Sequence, residues 1–257
     1  MACRAGGTLV GAMLVLVSLS SFVEAQFGGF CDPFQAPTGD WTSGTATFYS
    51  GGSGGACGFG GLGYAIYGER YAAASMRIWQ NGAACGLCVE IRCTGPSGCY
   101  PGKVVKVTIT DFCPNTPPNL AHCGPDKNHI DMGQNSFPVI ADARVGVIDI
   151  EYRTVSCTPY SNFQVQINGN QFGWLSLLIA QIPGSGRVVG CEVQGSGNDN
   201  WEALKRTWGS NWVRTGTPLK APIHVRLTLW GQICKVTSHN CIPSGFSFGQ
   251  VVQCNLE

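Results

Sequence analysis

The sequence predicts a mostly β protein made of two β-rich domains in tandem. Three observations carry that reading. Many short runs alternate apolar and polar residues, turn residues separate the runs, and helix-period patterns are few. With about 230 of the 257 residues left once a leader is removed, two domains suit the chain better than one, since most domains run about 100 to 150 residues.

From the N-terminus, Arg4 precedes an apolar stretch from Leu9 to Val23, and "VEAQ" ends in a small-x-small pattern suited to cleavage after Ala25. Residues 1–25 are therefore expected to be a secretory signal peptide, with secretion to the extracellular space. The stretch is short for a membrane span and no second apolar run of about 18 residues follows, so no membrane insertion is expected. A first domain is expected over 26–158. Its strand candidates are "TATFY", "GKVVKVTITDF" and "VGVIDIEYRTV". The best helix candidate is "FPVIADA", with "RYAAASMRIWQN" a weaker one. A second domain is expected over 159–257, because "SCTPYSN" ends a strand in Cys-Thr-Pro and a fresh alternating run starts at Phe163. Its candidates are "NFQVQI", "WLSLLIAQI", "GRVVGCEVQG" and "APIHVRLTLWGQI".

Composition narrows the chemistry. Fourteen cysteines suit an oxidising compartment, and losing Cys3 with the leader leaves thirteen, so at least one thiol is free or pairs between chains. A net charge of +1 with 12% charged residues gives no electrostatic footprint for nucleic acid. A neutral partner is the natural one, and seven Trp with seven Tyr suggest carbohydrate, because aromatic faces stack on sugar rings without needing charge. No motif calls for a metal, nucleotide or flavin, so no cofactor is expected. Cys85-x-x-Cys88 has a redox pair and half a zinc site as rival readings; secretion and the lack of a second Cys/His pair favour structural disulfides. No N-x-[ST] sequon occurs.

Six motifs in order, "ACGFGG", "CGLCVEIRC", "CYPGKVVKVTITDFCP", "NHIDMG", "GVIDIEYRTVSC" and, in the rear half, "NWEALKRTWGSNW", resemble those of the expansins. With the "TATFY" opening, the resemblance covers essentially the whole chain after the leader. It departs at Ile130, where an aromatic is usual, and in the rear cysteines 191, 234, 241 and 254, and it mixes features of the α and β branches. The resemblance implies a six-stranded double-psi β-barrel, similar to that of family-45 endoglucanases, followed by an immunoglobulin-like β-sandwich that binds cellulose. It also implies disulfides Cys57–Cys85, Cys88–Cys157, Cys93–Cys99 and Cys113–Cys123.

If residues 128–132 are extended, His129 and Asp131 share one face. Glycosidic cleavage needs two carboxyl groups flanking the bond. By resemblance Asp131 aligns with the acid, whereas the base would follow the Thr-x-Tyr strand, where residues 47–61 contain no Asp or Glu. Asp111 is a second carboxylate, implied to lie on the acid's side. Thr47, Tyr49, Asp111, His129 and Asp131 are then expected to form a polar glycan groove. Three alternatives stay open: Asp111 as a turn cap, Thr47 and Tyr49 as ordinary strand residues, and His129 as a residue that only orients its loop. Trp174 and Trp208 match the implied stacking surface, Trp201 and Trp212 are less certain, and Trp41, Trp79 and Trp230 read as packing residues.

The expected function is non-hydrolytic loosening of plant cell walls, favoured in acid, by a monomer acting on cellulose and matrix polysaccharides of the xyloglucan or xylan class. A true endoglucanase using Asp131 with Asp111, and a carbohydrate-binding or defence module, are the alternatives.

Overall fold

The computed structural model describes residues 32, 35–36, 38–52 and 54–257. The expected signal peptide, residues 1–25, lies outside the described residues.

Six strands, β1 (Thr42–Tyr49), β2 (Tyr71–Ala74), β3 (Cys88–Cys93), β4 (Val104–Phe112), β5 (His129–Gly133) and β6 (Ile148–Thr154), close a barrel in the order β1-β5-β2-β4-β3-β6. Two pairings are parallel, β1 with β5 and β2 with β4. Alternate residues point inward: Ala46, Ala72, Ala74, Ile91, Val107, Ile109, Ile130 and Met132 form the core with Phe137. Each large side chain so buried contributes about 1.5–3 kcal/mol. Three short helices decorate the outside: α1 (Gly60–Tyr67), α2 (Met76–Trp79) and α3 (Leu120–Cys123).

Nine further strands follow: β7 (Asn162–Gly169), β8 (Leu175–Ala180), β9 (Val188–Gly195), β10 (Glu202–Ala203), β11 (Lys205–Trp208), β12 (Asn211–Arg214), β13 (Ile223–Leu229), β14 (Lys235–Ile242) and β15 (Val251–Asn255). They form two antiparallel sheets, β10-β9-β13-β14 and β11-β12-β8-β7-β15, which enclose Phe163, Val165, Leu177, Ile179, Trp212, Val225 and Leu227. The fold class expected from the sequence, a double-psi barrel followed by a β-sandwich, is the one found. No helix among the described residues is long and apolar enough to cross a membrane.

Both helix candidates differ from expectation. "FPVIADA" yields two single 3₁₀ turns, Phe137–Val139 and Ala143–Val145, because Pro138 lacks a backbone donor and the Asp142 side chain accepts from the Arg144 amide to start a second turn. In "RYAAASMRIWQN" the residues Tyr71–Ala74 are all buried between β4 and β5 as a strand, so tertiary pairing overrides the helical preference of alanine.

The two domains are joined by more than the linker. Cys57, Phe59 and Cys85 of the barrel pack against Leu178 and Ala180 of the sandwich. Backbone bonds cross the junction from Ser210 N to Cys57 O (2.9 Å), Cys88 N to Ser185 O (3.0 Å) and Cys157 N to Gly184 O (2.7 Å). Gly209, at φ +52, sits against the Cys57 carbonyl, where any Cβ would collide with it.

The sulfurs of Cys57 and Cys85, Cys88 and Cys157, Cys93 and Cys99, Cys113 and Cys123, and Cys241 and Cys254 are bonded. Cys234 is also disulfide-bonded. Cys191 is the free thiol among the described residues; it is buried in the sandwich core, and that burial pushes its pKa up.

Candidate glycan groove and aromatic platform

One row of residues runs across four neighbouring strands. Thr47 on β1 is opposite Asp131 on β5, Asp131 is opposite Ala73 on β2, and Ala73 is opposite Asp111 on β4. Because Ala46, Ala72, Ala74, Ile130 and Met132 fill the barrel core, the row faces outward. Asp111 joins it through a bulge. Ile109 pairs with Ala72 but Asp111 with Ala73, so Thr110 is an extra residue and reverses the alternation that Val105, Val107 and Ile109 keep. At about 4.8 Å per strand, the two aspartate Cα atoms stand roughly 9–10 Å apart on one wall, with the Ala73 methyl as floor between them.

Asp131 ends a hydrogen-bonded chain. The Thr47 hydroxyl donates to Asp131 Oδ1 at 2.7 Å and lies 2.9 Å from His129 Nε2, while the Thr45 hydroxyl lies 2.8 Å from His129 Nδ1. A hydroxyl has one proton. If Thr47 gives it to the carboxylate, it accepts from His129, so the ring carries its hydrogen on Nε2 and Nδ1 accepts from Thr45. Burial first, and the charge of His122 second, depress the His129 pKa to about 4, so the ring is neutral in mild acid. Burial raises the Asp131 pKa and Asp111 adds to the rise; the Thr47 bond and His122 oppose it without cancelling it.

This geometry corrects the expected role of His129. It shares a face with Asp131, but it is fully buried beneath Thr45, Thr47 and the ring of His122, whose centroid is 5.1 Å away. No sugar reaches it. His129 fixes Thr47, and Thr47 fixes Asp131. His122, half-buried on α3 beside Cys123, is a groove residue that sequence reasoning missed, since a lone His before a Cys carries no signal.

Asp111 divides its oxygens. Oδ1 accepts from Ala56 N (2.6 Å) and Phe112 N (2.8 Å), which is the turn-capping role, and Oδ2 faces the Tyr49 hydroxyl at 3.4 Å. Gly55 permits this closure, for a Cβ there would overlap the Asp111 carboxyl. Tyr71 secures the other end of the same loop: its hydroxyl donates to Gly51 O at 2.7 Å, and its ring meets Tyr49 edge-on at 5.5 Å. Burial, reinforced by Asp111, keeps the Tyr49 phenol protonated far above its ordinary range. The chain after β1 is thus tethered at Gly51 and at Ala56, and residues 47–61 supply no carboxylate. Among the described residues no three His, Cys, Asp or Glu side chains are grouped to hold a metal.

The rear domain continues this surface. A Cβ on Gly58 would lie 2.6 Å from Trp208 Cζ3, so the tryptophan rests on the same loop that Asp111 tethers through Ala56. Trp208 is 58% exposed and Trp174 41%; with Phe248, 45% exposed, they line a shallow groove of about 540 Å³ floored by Ser176, Asn211 and Val213. Large exposed aromatics in one patch mark a ligand surface. Phe248 went unread because it lies in a Gly/Ser turn, "SGFSFGQ", with no strand pattern. The other tryptophans are engaged: Trp212 is in the core, Trp79 meets Phe112, and Trp41, Trp201 and Trp230 lie under guanidinium groups.

Comparison with known proteins adds the following. A family model described as lytic transglycolase matches residues 71–152, and one described as the expansin C-terminal domain matches residues 162–243. The chain is 32% identical over 262 residues to Expansin-A32 of Oryza sativa subsp. japonica, covering 96% of this chain and 95% of that one. It is 33% identical to Expansin-A22 of Arabidopsis thaliana, over 88% and 82% of the two chains. Among solved structures, an apo expansin of Clavibacter michiganensis matches with a TM-score of 0.64 at 25% identity, over 83% of this chain and 96% of that chain. A mutant of that expansin, solved in complex with cellohexaose, matches with the same TM-score at 24% identity and over the same shares.

Proposed function

The chain belongs to the expansin family, and from that premise we propose that it is a secreted, monomeric cell-wall loosening protein that binds cellulose and matrix glycans without hydrolysing them. One observation carries the non-hydrolytic part. Asp131 and Asp111 share a wall of the groove, and the loop where an opposing base would stand is made of residues with no carboxylate. Inverting cleavage needs a water held between two facing carboxyls, and this groove offers one side only.

In this reading Asp131 works through its proton. A carboxyl group with a raised pKa stays neutral further up the pH scale than an ordinary one, and when neutral it donates as well as accepts a hydrogen bond. When neutral it competes for hydroxyls that otherwise join glycan to glycan, and on ionising it releases them; the cycle runs in acid, near the raised pKa, and an amide at this position cannot make it, which accounts for loosening favoured at low pH. Thr47, Tyr49 and Asp111 shape the groove around it. Trp174, Trp208 and Phe248 hold the sandwich on cellulose by stacking, and the matrix target belongs to the xyloglucan or xylan class. The test is a paired assay on one preparation: wall extension under load at pH 4.5 and 7, with reducing-sugar release followed in the same sample. Extension in acid without sugar release is expected; catalytic release of sugar would overturn the reading.

A further inference from the structure

Beside the C-terminal end of α1, a pocket of about 230 Å³ opens at the junction of the two domains. It shares no lining residue with the platform groove. Arg70 and Lys106 come from the barrel, Thr158 and Tyr160 from the linker and Ile182 from the sandwich, and the Cys88–Cys157 disulfide forms part of the wall. The backbone fixes the cations as neighbours. Arg70 O accepts from Thr108 N at 2.9 Å, and Lys106 is two residues along β4 from Thr108 on the same face.

The charges of this pocket are uncompensated. Five of the nine arginines among the described residues hold a carboxylate: Arg92 with Glu151, Arg153 with Glu90, Arg144 with Asp142, Arg214 with Glu202 and Arg226 with Glu192. Among the described residues, Arg70 has neither an ion pair nor a side-chain hydrogen bond, and Lys106 makes only a long contact to Ser156 O at 3.4 Å. The two carboxylates nearest in sequence or register are committed elsewhere. Glu90, opposite Lys106 on β3, is held by Arg153 at 3.0 and 2.8 Å, and Glu69 is held by Asn135 at 2.8 Å.

We propose that this junction pocket binds a carboxylate-bearing sugar, a uronic acid residue of an acidic matrix glycan. A guanidinium fork beside an ammonium group suits one carboxylate, the hydroxyls of Thr158 and Tyr160 suit sugar hydroxyls, and Ile182 with the disulfide suits the C–H face of a ring. The carboxylate part rests on the two cations alone; the sugar part rests on the wall-glycan reading above. A ligand there touches both domains and the linker, so its binding also stiffens the junction.

The experiment is affinity electrophoresis of the full-length mature protein in gels containing polygalacturonate, with neutral β-glucan gels and a cellulose pull-down in parallel. Wild type is expected to be retarded by polygalacturonate, with a fall of about tenfold or more in apparent affinity for the Arg70→Gln/Lys106→Gln double variant, the size of losing charge-assisted hydrogen bonds. A Lys205→Gln/Lys220→Gln variant, with the same change in net charge, is expected to keep wild-type retardation. Galacturonate monosaccharide is expected to compete where acetate does not; equal competition by acetate would overturn the sugar part. No retardation of wild type at low salt, or equal loss in both double variants, would overturn the site. Cellulose binding is expected to be unchanged throughout, and its absence in wild type would count against the platform reading, not this one.

Discussion

Thr47→Val tests the chain that sets Asp131. Valine keeps the shape of threonine and its preference for strands but has no hydroxyl. Two bonds go at once, Thr47 to Asp131 at 2.7 Å and His129 Nε2 to Thr47 at 2.9 Å. The second loss is the heavier one, because His129 is fully buried and its ring N–H is left without an acceptor, a penalty of about 1–3 kcal/mol. Asp131 is half-buried and water replaces part of its bond, so its share is smaller, about 1 kcal/mol. The sum is a loss of about 2–4 kcal/mol, measured as the change in urea midpoint at constant m. The sign of the pH effect follows from the same bond. Thr47 holds the Asp131 pKa down against burial, so removing it moves the pKa further up, and the acid-favoured range of wall extension is expected to widen toward neutral pH. Unchanged stability, or a profile displaced toward acid, would refute the directional chain from Thr45 to Asp131.

Trp208→Ala and Trp174→Ala are each expected to weaken cellulose binding by about 1–3 kcal/mol in depletion isotherms, with Phe248→Ala weakening it too. Asp131→Asn is expected to flatten part of the pH dependence of stability. The native carboxyl binds its proton more tightly than the unfolded one, so its contribution favours folding in acid and is lost as pH rises from the unfolded value of about 3.9 through the raised native pKa. The Tm difference, variant minus wild type, should therefore grow from pH 4 to pH 7. Removing Cys88–Cys157, which closes a separation of 69 residues, is expected to cost about 4 kcal/mol in the chain-entropy account, read from denaturant midpoints.

The fold was legible where strands alternate. "NFQVQI" and "APIHVRLTLWGQI" bury every second residue of β7 and β13, and the period of two is enough to place them. It was illegible where all positions are alike: Tyr71–Ala74 is buried on both faces, and α1 is written in glycines, "GGLGYAIY", that argue against any helix. In the groove, the shared face of His129 and Asp131 followed from spacing, but depth did not. Whether a strand residue meets solvent depends on what lies across it, here His122 from a helix tied back by Cys113–Cys123. Asp111 is the sharper case. Alternation along "VVKVTITD" directs it into the core, and only the extra residue at Thr110 turns it out. The run from Thr47 to Gly61 without a carboxylate, by contrast, was visible in the sequence itself.

The most direct measurement is wall extension at pH 4.5 by wild type, Asp131→Asn and Asp111→Asn, with chain length of a soluble β-glucan followed in parallel. The account predicts strong extension by wild type, little or none by Asp131→Asn, an intermediate rate for Asp111→Asn, full cellulose binding by all three and no shortening of the glucan by any. Catalytic shortening by wild type that both variants abolish would contradict it, and would make Asp111 the second carboxylate of a hydrolase.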